Sequence, residues 1–97
     1  MTVLIDEPRW PAHDTLWAHL VSDESLAELH EFAAAAGIGR RAFDNDHYDV
    51  PQSRWQELVD RGALPVTGRE LLRRLQASGL RVRQRDKLPQ DPTPFAD

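Results

Sequence analysis

The chain contains no cysteine, which excludes disulfides and thiolate metal sites. Any metal would have to be held by imidazole, carboxylate and water. No apolar run reaches the roughly 18 residues of a membrane helix, and the first residues lack a basic segment followed by an apolar one. A soluble, cytoplasmic protein with no membrane partner is therefore the expectation. Walker-type and GxGxxG glycine loops are missing, and so is the Gly-x-Ser-x-Gly elbow of serine hydrolases. Strong single-motif signatures of nucleotide binding or nucleophilic serine chemistry are thus not on offer.

What is present fits one small domain. A chain of 97 residues buries only part of its surface, so a homodimer would add stability. Net charge is -4 but uneven. Residues 1–60 hold four arginines against twelve carboxylates, a local charge of -8. Residues 69–87 hold six arginines and Lys87 against Glu70 and Asp86, a local charge of +5. Such asymmetry marks either a phosphate-binding face or two halves that pair with each other. Overall acidity makes nucleic acid the less favoured partner.

Thr2-Val3-Leu4-Ile5 reads as a buried strand ending at Asp6. Residues 7–22 read as a long ordered connection, held by Trp10 and Trp17. A helix is expected over 23–36, capped at Ser22 or Asp23, or at Ser25 through a capping box, and stopped by Gly37. An extended piece is expected near 41–48. Asp49-Val50-Pro51-Gln52 then reads as the start of a second helix, with Asp49 as its cap and Gly62 as its end. Ala63–Val66 reads as a brief strand, and Thr67-Gly68-Arg69-Glu70 as the capping box of a third helix ending at Gly79. Leu80-Arg81-Val82 reads as a last strand. The alternation predicts an α/β domain over residues 1–82, with a short, mostly parallel sheet and about three helices. Residues 83–97 read as a charged, proline-rich, disordered tail.

The chemistry-bearing residues concentrate in Asp44-Asn45-Asp46-His47-Tyr48-Asp49, with a second cluster at His19-Leu20-Val21-Ser22-Asp23. Asp6, His47 and Asp49 are candidate ligands for a divalent ion, Mg, Mn or Zn, because carboxylates suit hard cations and an imidazole shifts preference toward Mn or Zn. His19 and His47 are candidate acid and base, since imidazole titrates near neutrality. Arg40, Arg41 and Arg69 are candidate phosphate or anion binders, because guanidinium matches phosphate oxygens in pairs. Thr67-Gly68-Arg69 could also cradle an anion at a helix start. Each has a plain alternative. Asp49 can be a cap, Asp6 a turn residue, the histidines packing groups, and Arg40-Arg41 a solvated turn. His30 reads as a core-edge residue and His13 as the weakest candidate of the four histidines.

Taken in order, Val3-Leu4-Ile5-Asp6, His19-Leu20…Asp23…Leu26-x-x-Leu29-His30, Gly37-Ile38…Arg40-Arg41, His47-Tyr48-Asp49 and Gly62-Ala63…Val66-Thr67 form a pattern. With it the chain resembles a bacterial and phage family known as domain of unknown function 4031, over roughly residues 2–82. The resemblance implies a compact stand-alone domain and draws attention to Asp6, His19, Asp23, Arg41, His47 and Asp49. It carries no activity.

Two functions follow from these residues. One is a non-catalytic module that binds a protein partner or a small anionic ligand through its acidic and basic surfaces. The other is a divalent-metal-assisted phosphoester hydrolase acting on a nucleotide or nucleic acid.

Overall fold

The apolar run at the start of the chain forms β1 (Val3–Ile5), buried along its whole length. The computed structural model of the chain describes residues 2–80. β2 (Trp10–Ala12) and the long strand β3 (Thr15–Ser22) form a hairpin. Helix α1 (Leu26–Ala35) follows. A 3-10 turn at Arg40–Ala42 leads into the hairpin of β4 (Phe43–Asp44) and β5 (His47–Pro51). Helix α2 (Gln52–Asp60), strand β6 (Leu64–Pro65) and helix α3 (Gly68–Ser78) complete the described residues.

The strands form one sheet in the order β4-β5-β3-β1-β6, with β2 also paired to β3. Four of the five described pairings are antiparallel, and β1 with β6 is the parallel one. The sheet is therefore mostly antiparallel, where the sequence pattern suggests mostly parallel. The cause is the segment 7–22. It is not a long connection but a hairpin that turns the chain back beside β1. His13 and Asp14 make its two-residue turn with φ of 50° and 64°. Both central residues are left-handed, as the twist of a tight hairpin demands. Glycine or asparagine usually fills such positions, so His-Asp gives little warning.

The two faces of the sheet are covered unequally. Val3, Ile5, Ala18, Leu20, Tyr48 and Val50 pack under α1 and α2 with Leu29, Ala33 and Leu58, and this is the larger core. Leu4 and Val21 pack on the other face against Leu71 and Leu75 of α3. Side chains alternate along a strand, so Trp17, His19, His47 and Asp49 lie on the α3 side. Each fully buried aliphatic side chain stabilises the fold by roughly 1.5–3 kcal/mol.

Helix ends follow their local chemistry. Ser25 caps α1 by accepting from the Glu28 N–H, so the helix starts later than 23. Gly37 then takes the left-handed position (φ 78°), and the Ile38 N–H returns to the Ala33 carbonyl. Thr67 caps α3 through the Glu70 N–H, and Gly79 closes it. Asp49 is not a helix cap. It lies within β5, and Pro51 precedes α2 without a side-chain cap. Arg81–Val82 and the tail 83–97 lie outside the described residues. No described helix is long and apolar enough to cross a membrane.

Candidate metal centre

A break in the sheet edge builds the first half of the site. β1 and β2 lie one after the other along the same side of β3, and residues 6–9 leave the ladder between them. The Asp6 N–H still donates to the His19 carbonyl. The return bond comes from a side chain instead: the His19 N–H donates to Asp6 Oδ1 at 2.6 Å, and His19 Nδ1 lies 2.8 Å from Asp6 Oδ2. One carboxylate thus fixes both the main chain and the ring of His19. Asp6 itself is buried. Its Oδ2 would stand 3.7 Å from a Cβ on Gly68, the first residue of α3. The N-terminal end of that helix therefore lies beside the Asp6 carboxylate. The anion at this helix start belongs to the protein itself.

The second half comes from the β4–β5 hairpin. Asn45 takes a left-handed conformation (φ 60°), and the turn folds Asp46 beneath the strand, 1% exposed. His47 Nδ1 lies 2.7 Å from Asp46 Oδ1. His47 and Asp49 are two residues apart on one strand and so share a face, with Asp49 directly opposite His19 in the register. The two imidazole rings meet edge to face, 5.1 Å between centroids.

His19, His47 and Asp49 each offer one ligand atom, and these atoms lie within 4.8 Å of one another. A carboxylate can only accept, so Asp6 and Asp46 place the ring protons on Nδ1 of His19 and His47. Nε2 is then the atom each ring would offer to an ion, on His47 in exchange for the second proton. Carboxylate-held imidazoles are the usual support for a metal-binding histidine. Asp49 Oδ1 is buried and lies 3.1 Å from His47 Nε2. Three ligands around Zn²⁺ at about 2.0–2.2 Å stand about 3.4 Å apart, so modest side-chain rotation closes the set. Without a metal, burial alone would keep His47 neutral. The Asp46 hydrogen bond, the Asp49 contact and both carboxylate charges outweigh it and raise the pKa to about 9.

An aromatic row borders the centre. Trp10 stacks on Trp17 and on His19, each at 5.9 Å, and His13 meets Trp17 edge-on. Asp44 stands on the other side, its Oδ2 4.0 Å from His47 Nε2 and 41% exposed.

The remaining candidates lie elsewhere. Arg40 sits near His30 and Tyr48, lowering the pKa of His30 after burial has done so, and Tyr48 belongs to the opposite face of the sheet. His30 Nδ1 and the Tyr48 hydroxyl are hydrogen bonded at 2.8 Å, with Phe43 edge-on, so His30 is a core-edge group. Arg41 and Arg69 are exposed. Asp23 is structural: it accepts from the Thr2 N–H and from Arg74, tying β1 to α3. Two open surface hollows are lined by residues such as Glu7, Arg9 and Trp55, or Pro11, Asp14 and Leu16, and neither includes the cluster. Asp46 and Trp10 are the contributors that sequence reasoning did not single out.

A family model matches residues 3–78, a span that contains every residue of the cluster and its supports. The chain belongs to the DUF4031 family, described as a protein of unknown function. No curated protein and no solved structure matches it.

Proposed function

We propose that the chain binds one divalent transition-metal ion through His19 Nε2, His47 Nε2 and an Asp49 carboxylate oxygen, and uses it as a Lewis acid to hydrolyse an ester, a phosphoester above all. The observation that carries the reading is the pair of imidazoles, each held from behind by its own buried carboxylate and gathered with an Asp49 oxygen so that the three ligand atoms lie within 4.8 Å of one another. Three protein ligands leave a coordination position for water, which is the arrangement of catalytic rather than structural sites. Two imidazoles and one carboxylate suit Zn or Mn better than Mg. A water on such an ion ionises near neutral pH. Asp44, on the open side beside His47, is the carboxylate placed to take its proton.

Asp6 has the role of an orienting group in this reading, because both its oxygens are occupied by His19. Arg40 lies near Tyr48 of the opposite face, and Arg41 and Arg69 are exposed, so this reading assigns phosphate neutralisation to the metal. Isothermal titration of Zn²⁺ and Mn²⁺ into chelator-treated protein tests the binding step. One ion per chain at micromolar or tighter affinity is expected, followed by turnover of bis(p-nitrophenyl) phosphate or p-nitrophenyl acetate that disappears with chelator. No binding tighter than millimolar would remove the proposal. The alternative, a non-catalytic module for a protein partner or small anionic ligand, predicts no turnover of either ester.

A further inference from the structure

The chain has three tryptophans, and their indole N–H groups are not alike. Trp17 Nε1 donates to the Ala12 carbonyl and Trp55 Nε1 to the Asp6 carbonyl, both at 2.8 Å. Trp10 Nε1 is buried and has no partner. The other such buried side-chain atom among the described residues is Asp49 Oδ1, an acceptor whose neighbour is the ligand candidate His47 Nε2 at 3.1 Å. Both belong to the same face of the sheet and flank His19: Asp49 is its cross-strand partner, and the Trp10 ring stacks on its imidazole. A buried polar group without a hydrogen bond is destabilising, so a donor and an acceptor retained on either side of His19 point to a ligand that reaches both. A metal ion satisfies Asp49. It cannot satisfy an N–H.

We propose that Trp10 Nε1 is the hydrogen-bond donor for an oxygen of the metal-bound substrate. This rests on the metal reading above. The shared chemistry is an anionic or strongly polarised oxygen, of a phosphoryl or a carboxyl group, held between the ion and the indole. A neutral donor suits this position. It adds no charge beside His19, and its rigid ring is fixed by stacking on Trp17 and His19, so little freedom is lost on binding. The stack also transmits position: the ring that supplies the donor lies against the ring that supplies a metal ligand.

The test uses the zinc-loaded protein labelled with ¹⁵N, with dimethyl phosphate and acetate as separate probes. The three indole N–H resonances are assigned with Trp10→Phe, which keeps the ring and removes the donor. Addition of the matching probe is expected to move the Trp10 resonance downfield while those of Trp17 and Trp55 stay in place. The anion that produces the shift identifies the phosphoryl or the carboxyl source. Trp10→Phe is expected to keep zinc affinity within about threefold and to weaken that anion about tenfold, the loss of one hydrogen bond to a charged group. A Trp10 resonance unmoved by both anions in protein that does bind zinc would overturn the inference alone. An equal loss of zinc and anion affinity in Trp10→Phe would overturn it too, by making Trp10 a support for His19. Wild-type protein that binds no zinc would overturn the metal reading and this inference with it.

Discussion

In the metal-free protein, raising the pH from 6 to 9.5 strips from His47 the proton that Asp46 and Asp49 hold in place, and the fold should weaken by a calculable amount. The folded-state pKa is about 9, against about 6.5 for the free imidazole. Between those values the folded chain binds a proton that the unfolded chain does not, so unfolding becomes easier as pH rises. The contribution is complete below about 6.5 and gone above about 9. A gap of about 2.5 at 1.36 kcal/mol each gives ~3 kcal/mol. His47 is only 14% exposed and Asp46 fully buried, so solvent screening takes little from this figure on the Asp46 side. Urea unfolding at pH 6, 7, 8, 9 and 9.5 with chelator present reads it as a fall of about 1–3 M in midpoint. The series stops there because the buried phenol of Tyr48, held above its ordinary pKa, adds its own loss at higher pH. Asp46→Asn keeps the shape and an acceptor but removes the better-aligned charge. Its pH-dependent part should shrink to ~1 kcal/mol, so wild type and variant differ most at pH 6 and converge by 9.5. Parallel curves separated by a constant amount would refute the assignment of the proton to the His47–Asp46 pair.

Four further outcomes follow. His19→Ala, His47→Ala and Asp49→Ala should each abolish stoichiometric zinc binding in a titration, while Asp6→Asn should weaken it roughly 10–100-fold, as loss of a group that orients a ligand does. Zinc at 100 times its dissociation constant should add ~2.7 kcal/mol, a rise in Tm of about 10–20 °C by calorimetry that His47→Ala does not show. Thr67→Ala should cost ~1 kcal/mol in chemical denaturation through lost capping of α3. Leu29→Ala, in the larger core and fully buried, should cost roughly 2–5 kcal/mol and leave zinc stoichiometry at one.

The parts of this structure that depend on neighbours in sequence were readable from it. Ser25, Thr67, Gly37 and Gly79 mark helix ends because a cap needs only a side-chain oxygen or a left-handed residue nearby. The polar residues of the site were visible as types. Their arrangement was not. His47-x-Asp49 has different meanings on different backbones: on a strand the two share a face, while before a helix Asp49 would be a cap. Pro51 and Gln52 signal the nearby helix so strongly that they hide the strand ahead of it. The Thr15–Ser22 strand was masked in a similar way. Trp17 and His19 are amphipathic groups on a half-open face, and Val21 and Ser22 are both buried, so alternation fades. With that strand missed, the direction of the sheet was missed as well. Asp46 acts through a tight turn centred on Asn45, and Trp10 through cross-strand stacking. Both are contacts that only the folded register creates.

The central claim is that two carboxylate-held imidazoles turn their Nε2 atoms toward one ion. A long-range ¹H–¹⁵N correlation spectrum of the histidine ring nitrogens, recorded before and after one equivalent of Zn²⁺, tests it most directly. Nε2 of His19 and His47 should shift to metal-bound values with Nδ1 of both still protonated, while His13 and His30 stay unchanged. Ring nitrogens of His19 and His47 that do not respond, or a response spread evenly over all four histidines, would contradict it.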